Sequence, residues 1–409
     1  MVKILHRKLY SSVIQQIEEK EFAIITGARQ TGKTTILKQV YDFLQKNGRS
    51  AFYLTLEDPD VLSRLNQHPE HVFDFVIRPN GDKIFLLLDE VQYLDKPSNF
   101  LKLLFDKHHE TLKIIATGSS AFYLDKKFTD SLAGRKKLFD LFTLDFEEFL
   151  HFKTEDESLR IELDRIRTNE NYISARQKEL ESFMNEYMTY GGYPAVVLAD
   201  NEQKKTEILK ELTGSFLKRD IAEAQIQDQE KFYRLLLILA DQTGSLLNMN
   251  ELSRLLSLSV TAVENYIFVL QKCFHIRLLK PFYKNIRKEL TKMPKVYFND
   301  MGFRNVLLKL FIPVELRLDK GALIENYAVI RAVSKYGSDA VRFWRTTEGN
   351  EIDMVVTTTF NKGLAIEVKY DAQHFNPSKY QKFVAFYPGY VLSYRALRAA
   401  ESQHSLLGF

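Results

Sequence analysis

Gly27-Ala28-Arg29-Gln30-Thr31-Gly32-Lys33-Thr34, with Thr35 after it, decides how the rest of the chain is read. The apolar run Phe22-Ala23-Ile24-Ile25 precedes it, and Ile36-Leu37-Lys38-Gln39-Val40 follows. A strand, a glycine-bounded loop of G-x-x-x-x-G-K-T spacing and a helix start form the setting of a phosphate-binding loop. Gly27 and Gly32 permit positive φ, so successive N–H groups can converge on a polyphosphate. The helix start adds its partial positive charge. Lys33 can reach the β- and γ-phosphates, and the Thr34 hydroxyl can ligate Mg²⁺. The spacing therefore predicts a nucleotide site built from Gly27 through Thr35.

Working outward, helical periodicity after the loop runs to about Leu44 and stops at Asn47-Gly48. Ala51 to Leu56 reads as a second strand, and residues 1 to 20 as a short helix leading into the first. Ile84-Phe85-Leu86-Leu87-Leu88 is apolar without alternation, the signature of a strand covered on both faces, as in a parallel sheet. Asp89 and Glu90 end it, at the edge where open α/β sheets bind ligands. Asp89 is placed to hold Mg²⁺ and Glu90 to polarise the attacking water. Leu112 to Ala116 is a further buried strand, ending in Thr117-Gly118-Ser119-Ser120. Thr117 and Ser119 are candidate γ-phosphate sensors; a plain Ser/Gly turn is the alternative. Gly134-Arg135 precedes Leu138-Phe139-Asp140-Leu141, the expected fifth strand. Arg135, read as lying on a loop at the ligand edge, is a candidate for stabilising transition-state charge in its own subunit or a neighbour's. A solvated basic loop is the competing account.

Composition narrows the class. With 409 residues the chain is too long for one core. Its 45% hydrophobic and 27% charged residues describe ordinary folded protein. A net charge of +4 permits a nucleic-acid partner without indicating one. The single cysteine, Cys273, rules out an intramolecular disulfide and suits a reducing cytoplasm. Charges break the first residues at once, so no signal peptide is expected, and no apolar run is long enough for a membrane span.

The set Gly27 to Thr34, Asp89-Glu90, Thr117-Gly118-Ser119 and Gly134-Arg135 resembles the AAA+ ATPases, most closely the prokaryotic branch in which a Gly-Arg pair precedes the fifth strand. Gly191-Gly192-Tyr193-Pro194 and Lys218-Arg219-Asp220-Ile221 resemble segments that follow this core in a large bacterial and archaeal family. Members of that family carry a carboxy-terminal domain with a restriction-endonuclease-like fold. The resemblance implies ATP and Mg²⁺ as ligands, with Lys33, Asp89, Glu90, Ser119 and Arg135 serving catalysis. It also implies a helical lid over the nucleotide in which Arg219 is a candidate second sensor; surface pairing of Arg219 with Asp220 is the simpler account.

Beyond the lid, Phe232 to Ala240, Asn250 to Leu256 and Thr261 to Phe274 have helical spacing. The strand-like runs Ile276 to Leu279 and Lys295 to Phe298 follow. That order is the layout of a winged helix-turn-helix. A DNA-binding version would present Ser259, Thr261, Glu264 and Asn265 to the groove and Lys280, Lys284, Arg287, Lys288 and Lys292 to phosphates. Only Glu289 opposes this basic cluster, yet the second helix is not itself basic, and winged helices also dock proteins.

In the last hundred residues Glu325 lies on an amphipathic helix, Asp353 in one β-run and Glu367 with Lys369 in the next. Glu367 and Lys369, two apart, share a face. Two carboxylates and a lysine can hold a hard cation and activate water for phosphodiester cleavage. This spacing resembles the PD-(D/E)xK nuclease core, although Ile352 stands where the pattern has proline. The resemblance implies Asp353 and Glu367 as ligands of a second Mg²⁺ or Mn²⁺, Glu325 as an accessory ligand and Lys369 beside the nucleophile.

The expected architecture is α/β. It comprises a P-loop AAA+ parallel sheet at 1–145, a helical lid at 146–228, a winged helix-turn-helix at 229–312 and a small mixed α/β restriction-endonuclease-like domain at 313–409. The expected activity is Mg-dependent ATP hydrolysis controlling engagement of DNA, with or without cleavage. The alternative is an ATP-driven switch that binds a protein partner and keeps an inactive nuclease-like scaffold. A cytoplasmic location without membrane association is expected, and Arg135 leaves a homo-oligomer conceivable.

Overall fold

The computed structural model describes residues 5–77, 83–119, 132–154, 156–169, 172–283, 292–346, 348–399 and 404–409. The chain divides into two compact units: Met1–Leu144 with Lys218–Ile226 and Lys272–Phe274, and the remainder.

The first unit is built on a parallel sheet. Its strands are β1 (Phe22–Gly27), β2 (Ala51–Thr55), β3 (Ile84–Asp89), β4 (Leu112–Gly118) and β5 (Lys136–Leu141), in the order β2-β3-β4-β1-β5. Every pairing is parallel. The runs without alternation become β1, β3 and β4, whose residues are buried throughout. Burial on both faces is what removes the alternation. One face carries α1 (Lys8–Gln15) and α2 (Lys33–Lys46), which pack Val13, Ile36, Leu37 and Val40 against Ala23, Ile25, Leu87 and Ile115. The other carries α3 (Pro59–Gln67) and α4 (Pro97–His108), with Leu65, Leu101 and Leu104 against Ile24, Leu86 and Ile114. Successive residues of one strand thus feed two cores.

A buried lysine closes the far end of this sheet. Lys113 directs Nζ at the carbonyls of Gln16 (2.6 Å), Glu19 (2.8 Å) and Glu21. It ties the α1–β1 connection to β4 by satisfying carbonyls that would otherwise be orphaned.

The second unit begins with α5 (Phe146–Lys153), α6 (Glu157–Thr168), α7 (Gln177–Tyr190), α8 (Pro194–Val197) and α9 (Glu202–Glu223), the last of which continues into the Lys218–Ile226 segment of the first unit. Asp145 and Glu148 form a reciprocal capping box at the start of α5. Three helices follow, α10 (Gln229–Asp241), α11 (Met249–Leu256) and α12 (Val260–Lys272), and then an antiparallel ribbon of β6 (Ile276–Leu279) and β7 (Lys295–Phe298). Leu246 bridges to Lys295 as a third, single-residue rung. Lys284, Arg287, Lys288 and Glu289 lie outside the described residues.

Helix α13 (Met301–Leu308) explains the Gly191-Gly192 pair. A Cβ on Gly191 would meet Asp300 Oδ1 at 2.2 Å, and one on Gly302 would meet the Tyr190 carbonyl at 2.0 Å. The Gly192 N–H donates to Asp300 Oδ2 (2.8 Å), and Asn305 donates to the carbonyls of Met188 and Thr189 (2.9 and 2.8 Å). These glycines allow two backbones to touch.

The carboxy-terminal sheet has strands β8 (Val341–Arg345), β9 (Glu351–Thr359), β10 (Lys362–Asp371) and β11 (Tyr390–Arg398), in the order β11-β10-β9-β8. Strands β8, β9 and β10 are antiparallel neighbours, whereas β11 runs parallel to β10. The helix α14 (Lys320–Tyr336) packs on this mixed sheet, and α15 (Gln381–Phe386) lies in the connection to β11. Among the described residues no helix is long and apolar enough to cross a membrane.

Candidate nucleotide site and carboxylate cluster

The phosphate loop emerges from the end of β1, where Gly27 pairs with Leu141 of β5. Gly27 has φ 151°, and a Cβ there would stand 2.1 Å from the Leu141 carbonyl of β5, so no side chain fits. Gly32, at φ 98°, is the left-handed residue that starts α2. Between them Thr31 Oγ1 donates to the Ala28 carbonyl (2.8 Å), and the Arg7 guanidinium donates to the carbonyls of Thr31 (2.7 Å) and Phe142 (2.9 Å). Arg7 was invisible as a loop support because it lies before the first strand.

Lys33 folds back onto its own loop, with Nζ donating to the carbonyls of Gly27 (3.1 Å) and Ala28 (2.9 Å). Thr34 Oγ1 stands 3.2 Å from Asp89 Oδ1. Asp89 also accepts from Tyr53 (2.7 Å) and from the Thr117 hydroxyl. Thr34 and Asp89 thus offer hard oxygen donors together, which suits Mg²⁺.

Glu90 is in the left-handed region at φ 60°, ψ 49°, which a non-glycine residue rarely adopts. Its N–H donates to Thr117 Oγ1 (3.0 Å), and the Gln92 amide holds its carboxylate. Gln92 in turn accepts from the Ser119 N–H (3.0 Å). Thr117 of β4 and Gln92 of the turn that follows β3 therefore hold Glu90 in place, and Gln92 is a residue that motif reading missed. The Ser119 hydroxyl is buried without a hydrogen-bond partner. Arg29 points to Asp220 and Glu223, both in the segment assigned to the first unit. Arg219 is exposed, and Asp220 takes Arg29 instead.

Arg135 requires a correction. It was expected at the ligand edge, but its carbonyl accepts from the Phe22 N–H (2.9 Å), at the first residue of β1. In a parallel sheet this is the edge opposite the phosphate loop. The six residues of β1 span roughly 20 Å at about 3.3 Å per residue, beyond an arginine's reach. Its guanidinium is bound by Asp106 of α4 (2.6 and 3.3 Å). A role on its own subunit's nucleotide is therefore withdrawn.

In the second unit, the β9–β10 register pairs Met354 with Ile366, which sets Asp353 beside Glu367. Asp353 Oδ2 accepts from the Val368 N–H (2.8 Å), and Lys369 bonds Glu367. Burial, followed by the Glu325 and Glu367 charges, pushes the Asp353 carboxyl well above its ordinary range. The Tyr380 hydroxyl also faces the Glu367 carboxylate, whose second oxygen is buried and makes no well-aligned hydrogen bond. Glu325 arrives from α14 but is already engaged. Lys295 Nζ is 2.9 Å from Glu325 Oε1, which also accepts from Tyr297 (2.6 Å). Lys295 additionally bonds Glu351, and its side chain is only 2% exposed. Burial alone would lower the Lys295 pKa; the Glu325, Asp353 and Glu351 charges reverse this and raise it. Among the described residues no three His, Cys, Asp or Glu side chains form a set able to hold a metal. An internal ammonium thus engages Glu325, the expected accessory ligand, and no pattern in the sequence announced it.

Three family models match successive parts of the chain. Residues 19–150 match a family model described as an AAA domain. Residues 181–313 and 320–404 match two domains of unknown function, DUF8612 and DUF4143. The first unit is a P-loop ATPase core. An uncharacterized protein of Haemophilus influenzae is 27% identical over 315 residues, covering 74% of this chain and 73% of that protein. One from Methanocaldococcus jannaschii is 25% identical over 385 residues, covering 92% and 80%. The solved structure of the Aeropyrum pernix ORC1 protein in complex with DNA is 10% identical, covers 74% of this chain and 92% of that chain, and has a TM-score of 0.33. A likeness at that score carries no function across.

Within the ATPase core, burial lowers the Lys33 ammonium to about 8, against the raising effect of Glu90 and Asp89. In the nucleotide-free fold the lysine therefore binds fewer protons than in the unfolded chain between about pH 8 and its ordinary value. Its destabilising contribution is present below pH 8 and is relieved as pH rises through that window. Phosphates beside Nζ restore the charge. Nucleotide binding near pH 9 is expected to take up approximately one proton, and affinity to fall as pH rises above 8. Titration calorimetry in two buffers of different ionisation enthalpy reads this directly. A binding enthalpy independent of the buffer would contradict it.

Proposed function

We propose that the chain is an Mg-dependent ATPase whose nucleotide state controls engagement of DNA by its second unit. The observation that carries the ATPase part is the joint placement of Lys33, Thr34, Asp89 and Glu90, with Glu90 fixed by Thr117 and Gln92. Mg²⁺ would be held by Thr34 and Asp89, supplying charge neutralisation to the phosphates, while Glu90 accepts the proton of the attacking water.

DNA engagement is supported by the surface of α12. Ser259, before the helix, and Thr261, Glu264 and Asn265 on it are exposed, and Lys280 and Lys292 are exposed on the ribbon side. Helices followed by a ribbon give such residues groove and phosphate contacts respectively. Metal-dependent cleavage would use Asp353 and Glu367, two buried carboxylates close enough for their charges to interact, which favours a cation between them.

A second reading, a switch that acts on a protein partner and keeps a catalytically silent nuclease-like scaffold, is favoured by Lys295. Its ammonium neutralises Glu325 and Glu351 from inside. Steady-state ATP hydrolysis with and without duplex DNA, at low and moderate salt, separates the two. The first reading predicts salt-sensitive stimulation by DNA, and any cutting lost in Asp353→Ala. An ATPase rate indifferent to DNA, with no cutting by the wild type, would leave the second.

A further inference from the structure

The phosphate loop of the first unit carries one contact that nucleotide chemistry does not require. Arg29 leaves the loop and meets two carboxylates nearly two hundred residues later, with Nε 3.5 Å from Asp220 Oδ1 and Nη2 bonded to Glu223. The side chains of Arg29 and Asp220 are 10% and 3% exposed, and that of Glu223 is 28%. Within this triad Arg29 and Asp220 are therefore shielded from solvent, where charge interactions are stronger than at the surface, while Glu223 lies at the solvent side of the pair.

Its charges also reach the catalytic group. Glu90 acts electrostatically on Arg29, Glu223 and Lys33, so all of these share one field at the phosphate site. Burial raises the Glu223 carboxyl, while Arg29 pulls it back towards ionisation. Arg29 is thus the counter-charge that lets two acids sit beside an anion-binding loop. A bound polyphosphate adds negative charge within reach of the same guanidinium. The acids and the phosphate must then share it, and whatever Arg29 gives to one is lost to the other.

Lys218–Ile226 is the segment that would feel this. It belongs to the first unit although α9, which carries most of it, starts among residues of the second. We propose that Arg29, Asp220 and Glu223 form an electrostatic relay in which bound nucleotide competes for Arg29 and loosens the Lys218–Ile226 segment. Asp220 and Glu223 are positioning residues, and Arg29 is the member that contacts phosphate. The proposal rests on the ATPase reading of the loop and adds the route by which occupancy leaves it. Coupling is reciprocal: if nucleotide weakens the triad, weakening the triad strengthens nucleotide binding by the same factor.

The test uses the full chain, with Mg²⁺ and a non-hydrolysable ATP analogue as the probe. Amide hydrogen exchange over Lys218–Ile226 and the analogue's Kd are measured for the wild type, Glu223→Gln and Arg29→Lys. Glu223, the most exposed of the three, is the substitution least liable to disturb folding. In the wild type, saturating analogue should speed exchange of the segment by about fivefold or more, the scale of ordinary coupling. In Glu223→Gln that response should shrink to less than about twofold, and the analogue should bind more tightly by about fivefold. Arg29→Lys keeps the charge and should retain part of the response. A merely structural ion pair would raise basal exchange in Glu223→Gln while leaving the response to nucleotide and the Kd unchanged; that result overturns the relay. Wild-type exchange that ignores a demonstrably bound analogue also overturns it, yet leaves the ATPase reading standing. Failure of the wild type to bind the analogue overturns both.

Discussion

Glu90→Gln is expected to lower kcat for ATP hydrolysis by roughly 10²–10⁴-fold, the usual contribution of a positioned general base. ATP binding should be retained. The substitution keeps size and shape but replaces the carboxylate by an amide too weakly basic to take a proton from water. Everything that positions Glu90 acts on its backbone or through Gln92: its N–H is held by Thr117 Oγ1, and its φ of 60° is sustained by that anchor. Left-handed backbone at a bulky residue costs on the order of 1 kcal/mol or more and persists where the surroundings impose it. Glu90 follows the carboxyl end of β3, the same end of the parallel sheet from which the phosphate loop leaves β1. Steady-state kinetics and equilibrium binding of the same variant distinguish the roles, and a kcat within about twofold of wild type would remove Glu90 from catalysis.

Asp319→Ala is the change with the largest expected effect on stability. Its carboxylate accepts from Arg304 Nη1 (2.7 Å) and from Arg317 Nε and Nη2 (2.8 and 2.7 Å). Both arginines are almost fully buried, and Arg304 also donates to the Ala240 carbonyl and Thr243. Removing the acid strands two guanidinium groups inside the second unit, which typically costs about 3–5 kcal/mol. Although burial pushes the Asp319 carboxyl up, hydrogen bonds from Arg317 and Arg304 bring it down to about 2. Because the folded value is depressed, its contribution is fully present above the ordinary carboxylate range and is lost as pH falls through about 2. Trp344, the only tryptophan, lies in β8 of this unit, so its fluorescence reports the relevant transition in denaturant. A loss below about 1 kcal/mol would mean that the arginines find other partners.

The elements that carry the candidate site were legible where their parts are neighbours in sequence. The loop from Gly27 to Thr34 lies between β1 and α2, and Asp89-Glu90 lies at the end of the apolar run that becomes β3, so spacing alone located both elements. Arg135 was misplaced because its neighbourhood was read without strand direction. A residue just before a parallel strand stands at the edge opposite the ligand, and that follows from the sheet once all strands are known to be parallel. The partners of Arg29 were not legible, since a contact 191 positions away leaves no local pattern. Lys295 was hidden for the same reason: within its β-run it reads as an ordinary strand-edge lysine, and only folding brings Glu325 and Glu351 to it. Gly191-Gly192 was recognisable as an interruption, but its cause, the approach of Asp300 and Gly302, is tertiary.

The measurement that bears most directly on the central claim is phosphate release from Mg-ATP by the purified full chain, wild type beside Lys33→Ala. Lys33 has no structural duty beyond two loop carbonyls, so its loss should leave the fold intact while removing the charge that meets the phosphates. The account predicts turnover by the wild type and only background release by the variant. Equal release from both, or none from the wild type, would contradict it.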